Sequence, residues 1–334
     1  MYLSPLNILF FLTLTLGTSL ALSSSSWFSA WAGLELNLLS FIPLLISSKS
    51  RYSSEAALKY FLIQALGSAF IVFSSALLLF SPNLFSISMT SALLLKLGAT
   101  PFHFWFTQIM ESLMWPQAII MMTIQKMAPI FLLACLSATY STMWLLLLSS
   151  GFSALVSALG GMNQTSLRKI MAFSSINHLA WMLAASVVSE VALFLYFSFY
   201  CFISTSVALM FFFQQSFHFS HITNQATYFP TMKIFTFSAL LSLGGLPPLI
   251  GFFPKWMMIQ SLLNMNLYLL LSVLLLSSLI TLYFYIRMMF LSLVISTPSL
   301  KLNPTTKSPL LLFYPAITTL NLLGLMVPCY FTAV

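Results

Sequence analysis

Apolar stretches long enough to cross a lipid bilayer recur from one end of this 334-residue chain to the other. About 20 apolar residues in a helix span the roughly 30 Å hydrocarbon layer. Because hydrocarbon offers no partner to a backbone amide, each stretch must satisfy its own hydrogen bonds and therefore forms a helix. Only 5% of the residues are charged and 60% are hydrophobic, too few polar side chains to cover a soluble domain. The sequence predicts an all-α polytopic membrane protein.

The length criterion gives about eleven crossings, and the connections between them alternate in charge. Connections after the even-numbered crossings contain the basic residues, whereas those after the odd-numbered crossings are short and free of them. By the positive-inside rule, the N-terminus and the basic connections lie on the inner side and the C-terminus lies outside. The predicted crossings are 3–22, 27–47, 57–81, 85–109, 113–139, 142–161, 169–187, 190–214, 233–264, 267–292 and 309–331.

Two of these crossings are interrupted by glycine and proline. The fourth contains Gly98 and Pro101, and the ninth contains the run LGGLPPLIGFFPKW. Proline removes a backbone donor and clashes with the preceding turn, so both helices should break and leave carbonyl groups free. The breaks fall on the fourth member of two sets of five helices, which predicts inverted repeats, 1–140 and 141–295, before a C-terminal loop and helix, 296–334. Ordinary proline kinks are the alternative.

Ionisable side chains lie inside the apolar crossings of a chain that has only four acidic residues. They are Glu35, Lys96, Lys126 and Lys255, and His178 lies in the middle of another crossing. One charge at the bilayer centre costs about 2.5–3.5 kcal/mol on insertion scales, so such groups usually face a bundle interior and serve ion or proton relays. Histidine suits a relay because it titrates near neutrality. The pattern indicates a protein that moves charge across a membrane.

Each of these residues also has a purely structural interpretation. Glu35 and Lys96 could form a static ion pair between helices, and Lys126 could serve packing alone. Lys255 follows a proline and could extend to the membrane interface. A hydrogen-bonded core histidine is an equally good interpretation of His178. The sequence leaves these alternatives open.

The sequence gives little support for a metal site or for a nucleic-acid-binding site. The three cysteines are scattered and have no ligand spacing with a histidine. His218 and His221 fit a polar interfacial loop better than a metal site. No glycine-rich nucleotide loop follows a strand, and the net charge of +8 is not gathered into a basic patch with interleaved aromatic residues. We expect no metal site and no nucleic-acid partner.

Four segments together carry a family resemblance: KLGATPFHFW, TIQKMAPI, SALGGMNQTSLRKIMAFSSINHLAWM and LGGLPPLIGFFPKW. In this order, over about residues 30–295, the chain resembles subunit 2 of NADH:ubiquinone oxidoreductase (respiratory complex I) in its mitochondrially encoded animal form. Single motifs are shared with the longer antiporter-like subunits 4 and 5. The alternatives are a subunit of a related multisubunit cation/proton antiporter and a purely structural subunit of the same membrane arm.

The resemblance implies a proton-translocating module driven by electron transfer in other subunits. Glu35 and Lys96 would form an ion pair between the second and fourth helices, and Lys126 would lie on the fifth. Lys255 would mark the exit-side half of the second broken helix. His178, because histidine titrates near neutrality, could serve as a relay between lysines. A change in one charge would then alter how readily a neighbouring group holds its proton.

The resemblance also implies that this chain binds no cofactor and does no redox chemistry alone, since other subunits bind NADH, FMN, iron–sulfur clusters and ubiquinone. Its expected partners are the lipid bilayer, antiporter-like subunit 4 and the small subunits that lead to the quinone site. The expected location is the mitochondrial inner membrane, with the N-terminus in the matrix and the C-terminus in the intermembrane space.

One stretch departs from the family pattern. Members usually carry a Pro-Glu pair after HFW, where this chain has Thr107, Gln108 and Ile109. No role is therefore transferred to that carboxylate. Glu111 lies a little further along the chain and matches a glutamate of some invertebrate members.

Overall fold

The computed structural model describes residues 4–46, 51–221, 230–294 and Thr319. Within these ranges the chain is almost entirely helical, and its only β-type pairing is one isolated bridge between Ser166 and His218. Eight segments there are helical and apolar enough, over 19 to 27 residues, to cross a membrane. One of the eight, Trp115–Leu136, is interrupted at a single residue, Thr123, and two further crossings are each made of two shorter helices separated by a longer break. The prediction of an all-α polytopic membrane protein is confirmed.

The helices follow the predicted crossings in order. The first five crossings are α1 (Pro5–Ser23), α2 (Trp27–Ile46), α3 (Arg51–Leu77), the pair α4 (Pro82–Leu97) and α5 (Phe104–Ser112), and the pair α6 (Trp115–Met122) and α7 (Ile124–Leu136). The next five are α8 (Tyr140–Gly161), α9 (Leu167–Val188), α10 (Glu190–Phe213), the pair α11 (Pro230–Gly244) and α12 (Phe252–Asn264), and α13 (Tyr268–Val294). The eleventh predicted crossing, 309–331, lies outside the described residues apart from Thr319.

Local sequence explains where several helices begin. Ser4 caps α1 by accepting a hydrogen bond from a backbone amide of the first turn, and Pro5 occupies the first helical position. Ser189 caps α10 in the same way, with the acidic Glu190 in the first turn. The third helix begins at Arg51, earlier than predicted, because a Glu55–Lys59 pair (2.6 Å) supports polar turns beyond the apolar stretch.

The two sets of five crossings pack in the same order. In each set the first helix contacts the second and the second contacts the third. The third helix contacts both halves of the broken fourth crossing, and the fifth crossing packs against the first helix. The breaks lie in the fourth crossing of each set, as predicted. This common packing order supports two structural repeats, whose boundaries at 1–140 and 141–295 stay a prediction.

The connections after the even-numbered crossings lie together at one end of the bundle. Arg168, after the sixth crossing, donates a hydrogen bond to the carbonyl of Leu113, which follows the fourth (2.7 Å). Near the end of the tenth crossing, Arg287 donates to the carbonyl of Met162 after the sixth (2.7 Å). The alternation of the crossings is therefore consistent with the charge pattern of the sequence.

Helix α9 lies at the centre of the bundle. Of the 18-residue apolar stretch of α9, 94% is buried, compared with 22% of the corresponding stretch of α1. The polar side chains of α9 therefore face other helices rather than lipid. Asn177, for example, donates to Thr281 Oγ1 (3.3 Å) and accepts from Ser277 (3.2 Å), both on α13. This burial makes α9 the element that brings the functional side chains of both repeats together.

We expect a Gly33→Ala variant to be less stable. Gly33 on α2 meets α1 so closely that a Cβ there would lie 2.6 Å from the amide nitrogen of Ala21 and 2.8 Å from the Gly17 carbonyl oxygen. Overpacking of this kind costs about 1–3 kcal/mol. The fraction of assembled protein that survives a heating step on a native gel should fall. Gly151→Ala is the control, since nothing lies within 4 Å of its Cβ position, and equal survival would contradict the prediction.

Candidate functional site

The first break exposes carbonyl groups and lies next to Lys96. Gly98 ends α4 in the left-handed region (φ 71°), and α5 begins six residues later at Phe104. Side chains donate to carbonyls at the end of α4: Trp105 Nε1 donates to that of Leu95 (3.1 Å), and Gln64 Nε2 donates to that of Lys96 (3.2 Å). The predicted break is confirmed, and it holds backbone polar groups inside the bundle.

The second break is built in a similar way around Lys255. Gly245 follows the end of α11 with φ 76°, and Lys255 Nζ donates to the carbonyl of Gly244 across the break (2.8 Å). Lys255 is 6% exposed. The alternative in which Lys255 extends to the membrane interface is therefore wrong, because its side chain turns inward to the end of α11.

Glu35 and Lys96 do not touch. Among the described residues, carboxylate–ammonium contacts within 4.0 Å are Glu55–Lys59 and Glu111–Lys169. Glu35 instead acts on Lys96 through a longer-range electrostatic interaction. The prediction of a direct ion pair between Glu35 and Lys96 is therefore wrong, and the geometry of α2 explains why. One face of α2, formed by residues 34, 37 and 38, points toward Lys96, and Glu35 lies beside that face and remains partly exposed.

Lys126 is the most deeply buried of the three lysines, at 2% exposure. A one-residue interruption at Thr123 separates α6 from α7 just before it. Its Nζ donates to the carbonyl of Ser175 on α9 (3.1 Å) and lies over the rings of Phe106 (4.9 Å) and Tyr200 (5.5 Å). A carbonyl dipole and two aromatic faces thus stabilise this ammonium, and no carboxylate of the described residues is in contact with it.

His178 lies within electrostatic reach of both Lys126 and Lys255. It is 7% exposed, and its Nδ1 is 3.0 Å from the hydroxyl oxygen of Tyr196. Its ring centroid is 5.3 Å from that of Tyr200, the ring that also faces Lys126. Both lysines act on the histidine electrostatically. The structure therefore brings Lys126, His178 and Lys255 together from three separate crossings.

Sequence analysis missed the uncharged polar groups between Lys96 and Lys126. Tyr60 donates to Gln125 Oε1 (3.1 Å), and Gln125 Nε2 donates to Asn37 Oδ1 (2.8 Å). These side chains line a cavity of about 20 Å³ together with both lysines. Amides inside apolar crossings, one of them next to Lys126 in the chain, were the signal that could have found them.

Other candidate groups lie apart from the row of buried side chains formed by Lys96, Lys126, His178 and Lys255. Glu111 pairs with Lys169 (2.8 Å) in a partly exposed position, and the rings of His218 and His221 are 5.8 Å apart. In the part of the chain that the structure describes, no group of three or more His, Cys, Asp or Glu residues could hold a metal ion.

Known proteins are similar to this chain both in sequence and in architecture. A profile of the family described as NADH:quinone oxidoreductase/Mrp antiporter, transmembrane, matches residues 24–83 and 80–281. A protein of Anopheles gambiae named NADH-ubiquinone oxidoreductase chain 2 is 46% identical over 294 residues, which cover 85% of both chains. The protein of that name from Locusta migratoria is 35% identical over 335 residues, covering 98% of this chain and 97% of the relative.

A solved structure has the same fold over nearly the whole chain. One chain of respiratory complex I from Thermus thermophilus with bound aureothin superposes with a TM-score of 0.84 at 25% identity. The match covers 97% of this chain and 78% of that one. With two interrupted crossings, a row of buried lysines and relatives of one name over most of its length, this chain belongs to the NADH-ubiquinone oxidoreductase chain 2 family of antiporter-like membrane subunits.

Proposed function

We propose that Glu35, Lys96, Lys126, His178 and Lys255 carry the proton through this subunit. As a chain 2 homologue, the protein is a membrane-arm subunit of proton-translocating NADH:ubiquinone oxidoreductase. The observation that supports these residues is a set of three lysines, each at most 6% exposed and none within 4.0 Å of a described carboxylate. Lys126 bonds to a carbonyl and faces two rings, and Lys255 bonds to a carbonyl, so both can release a proton without leaving an unpaired anion in contact.

Charge repulsion supplies the coupling between neighbouring groups. Like charges repel, so a proton on Lys126 or on Lys255 acts against a second positive charge on the nearby His178. The arrival of a proton at one group therefore favours release of the proton that the neighbouring group holds. His178 can accept a proton on one ring nitrogen and release a proton from the other, and its Nδ1 lies 3.0 Å from the Tyr196 hydroxyl oxygen. Glu35 would set the charge at the Lys96 end of the row.

A structural role for Lys255 is the second candidate, because its ammonium bridges the break by bonding to Gly244. A Lys255→Met variant separates the two roles. The relay predicts an assembled complex that moves at least several-fold fewer protons per NADH, because Met packs similarly but cannot hold a proton. Purified complex in proteoliposomes, normalised to its amount on a native gel, provides the measurement.

The control for this test is Lys59→Met, which removes a lysine from a half-exposed pair on α3. A surface pair of this kind contributes about 0–1 kcal/mol, so this variant should assemble and pump normally. Loss of assembly in Lys255→Met, with unchanged pumping by the complex that remains, would support the structural role instead.

The orientation of the subunit in the membrane and the identity of its neighbours are part of the same proposal. Its relatives' names and its apolar helices support a multi-pass protein of the mitochondrial inner membrane. We infer that the N-terminus faces the matrix and the C-terminus the intermembrane space, since the even-numbered connections carry the basic residues. Antiporter-like subunit 4 and the small subunits toward the quinone site would be its neighbours. NADH, FMN, iron–sulfur clusters and ubiquinone would bind to other subunits, with no cofactor in this chain.

Membership of the large complex has a direct test. A native gel of the inner membrane is stained for NADH oxidation and probed for this chain. Co-migration with the NADH-oxidising complex is the expected result. Migration in a smaller particle without that activity would favour a separate cation/proton antiporter and overturn the assignment of partners.

A further inference from the structure

The cavity between Lys96 and Lys126 has room for one water molecule. Its volume is about 20 Å³, and a water needs roughly 10–15 Å³ measured in this way together with two to four polar partners. Both lysines line the cavity, and so do Asn37, Tyr60 and Gln125. The site is therefore polar enough and large enough to be wet rather than empty.

The side chain of Gln125 is fixed in one orientation by its two neighbours. Its oxygen accepts from the Tyr60 hydroxyl on α3 (3.1 Å), and its nitrogen donates to Asn37 Oδ1 on α2 (2.8 Å). This arrangement uses one N–H of the Gln125 amide. The second N–H can donate to a water, and the lone pairs of the Tyr60 oxygen can accept from it. Three crossings thus converge on one small polar volume.

Gln125 and Lys126 lie in the first turn after the break at Thr123, and the geometry of the helix directs them to different neighbours. The hydroxyl of Thr123 donates to the Ile119 carbonyl (2.7 Å), and the regular helix resumes at Ile124. Gln125 and Lys126 follow directly. Successive residues on a helix point about 100° apart, so the amide turns to α2 and α3 while Lys126 reaches Ser175 on α9. Both still line the same cavity.

We propose that Gln125 is a positioning residue that holds one water between Lys96 and Lys126 and thereby connects the two lysines for proton transfer. The inference rests on the proposed function, since it requires that both lysines carry protons. An amide does not readily take up a proton itself, so Gln125 orients the water with the help of Asn37 and Tyr60. The proton passes from one ammonium to the water oxygen while the water releases a proton to the other amine.

A Gln125→Leu variant tests the proposal, because leucine is similar in size and has no hydrogen-bonding group. The complex should assemble and the number of protons moved per NADH should fall at least threefold. Gln125→Asn keeps both the donor and the acceptor and should restore part of the loss. Gln164→Leu is the matched control, since among the described residues that amide donates to the Gly160 carbonyl, near the end of the preceding helix (3.1 Å).

Two comparisons separate the failure of this inference from the failure of the proposed function. Full pumping by assembled Gln125→Leu complex, with pumping lost in Lys126→Met, would overturn the role of Gln125 alone. Full pumping in both variants would overturn the relay as a whole. Should Gln125→Leu fail to assemble, a high-resolution map of the unsubstituted complex decides the matter. Water density in contact with Gln125 supports the proposal, and a dry cavity overturns it.

Discussion

A Lys126→Met variant should still assemble, and its proton translocation should fall at least tenfold. Assembly should persist because Lys126 contacts no described carboxylate, so its removal leaves no buried charge without a partner. The lost contacts are one hydrogen bond to the Ser175 carbonyl and two ring contacts. Methionine is unbranched and adaptable enough to fill the same space against Phe106 and Tyr200. Translocation should fail because Met cannot hold a proton at the centre of the row.

Lys126→Arg provides the sharper test of mechanism. Arginine keeps the positive charge but is effectively never deprotonated in a protein. If Lys126 passes protons, Arg should be as inactive as Met. If a fixed positive charge is all that the site needs, Arg should pump normally, which would contradict the relay. Protons moved per NADH by purified complex in proteoliposomes give the measurement, and Lys59→Met is the matched control because that lysine lies in a half-exposed surface pair.

A Gly251→Ala variant should prevent most of the protein from assembling. A Cβ at Gly251 would overlap the carbonyl oxygen of Ser242, which is a backbone atom of the preceding helix. No change of side-chain rotamer can relieve that overlap, so α11 and α12 would have to move apart. Such a movement would separate the Gly244 carbonyl from Lys255, which bonds to it at 2.8 Å. We expect at least a fivefold loss of assembled complex on a native gel.

The control for Gly251→Ala is again Gly151→Ala, where nothing lies within 4 Å of the added atom. Alanine is favoured over glycine inside a helix, so this variant should assemble at least as well as the original protein. Normal assembly and normal pumping in Gly251→Ala would show that the second break adapts freely. The close approach of α11 and α12 would then be irrelevant to function.

The sequence predicted most of the described crossings and two of their breaks because these signals are local. Apolar length predicted the crossings, and glycine with proline predicted breaks that the structure shows after α4 and after α11. The lysines were found for a similar reason, since any charge inside an apolar crossing stands out. The start of α3 was placed too late because a helix can continue through polar residues, such as the Glu55–Lys59 pair, beyond the apolar stretch.

The contacts inside the site were decided by the tertiary structure alone. Whether Glu35 touches Lys96 depends on how α2 is rotated about its axis, and that rotation directs Asn37 to the cavity while Glu35 lies beside the buried face. Lys126 meets Ser175, a residue 49 positions away. By itself, then, the sequence determined that the chain crosses a membrane many times, where two helices break and which charges lie inside. The packing of α2, α7, α9 and α12 determined the partners of those charges, because side-chain direction around a helix is fixed only when neighbouring helices pack against it.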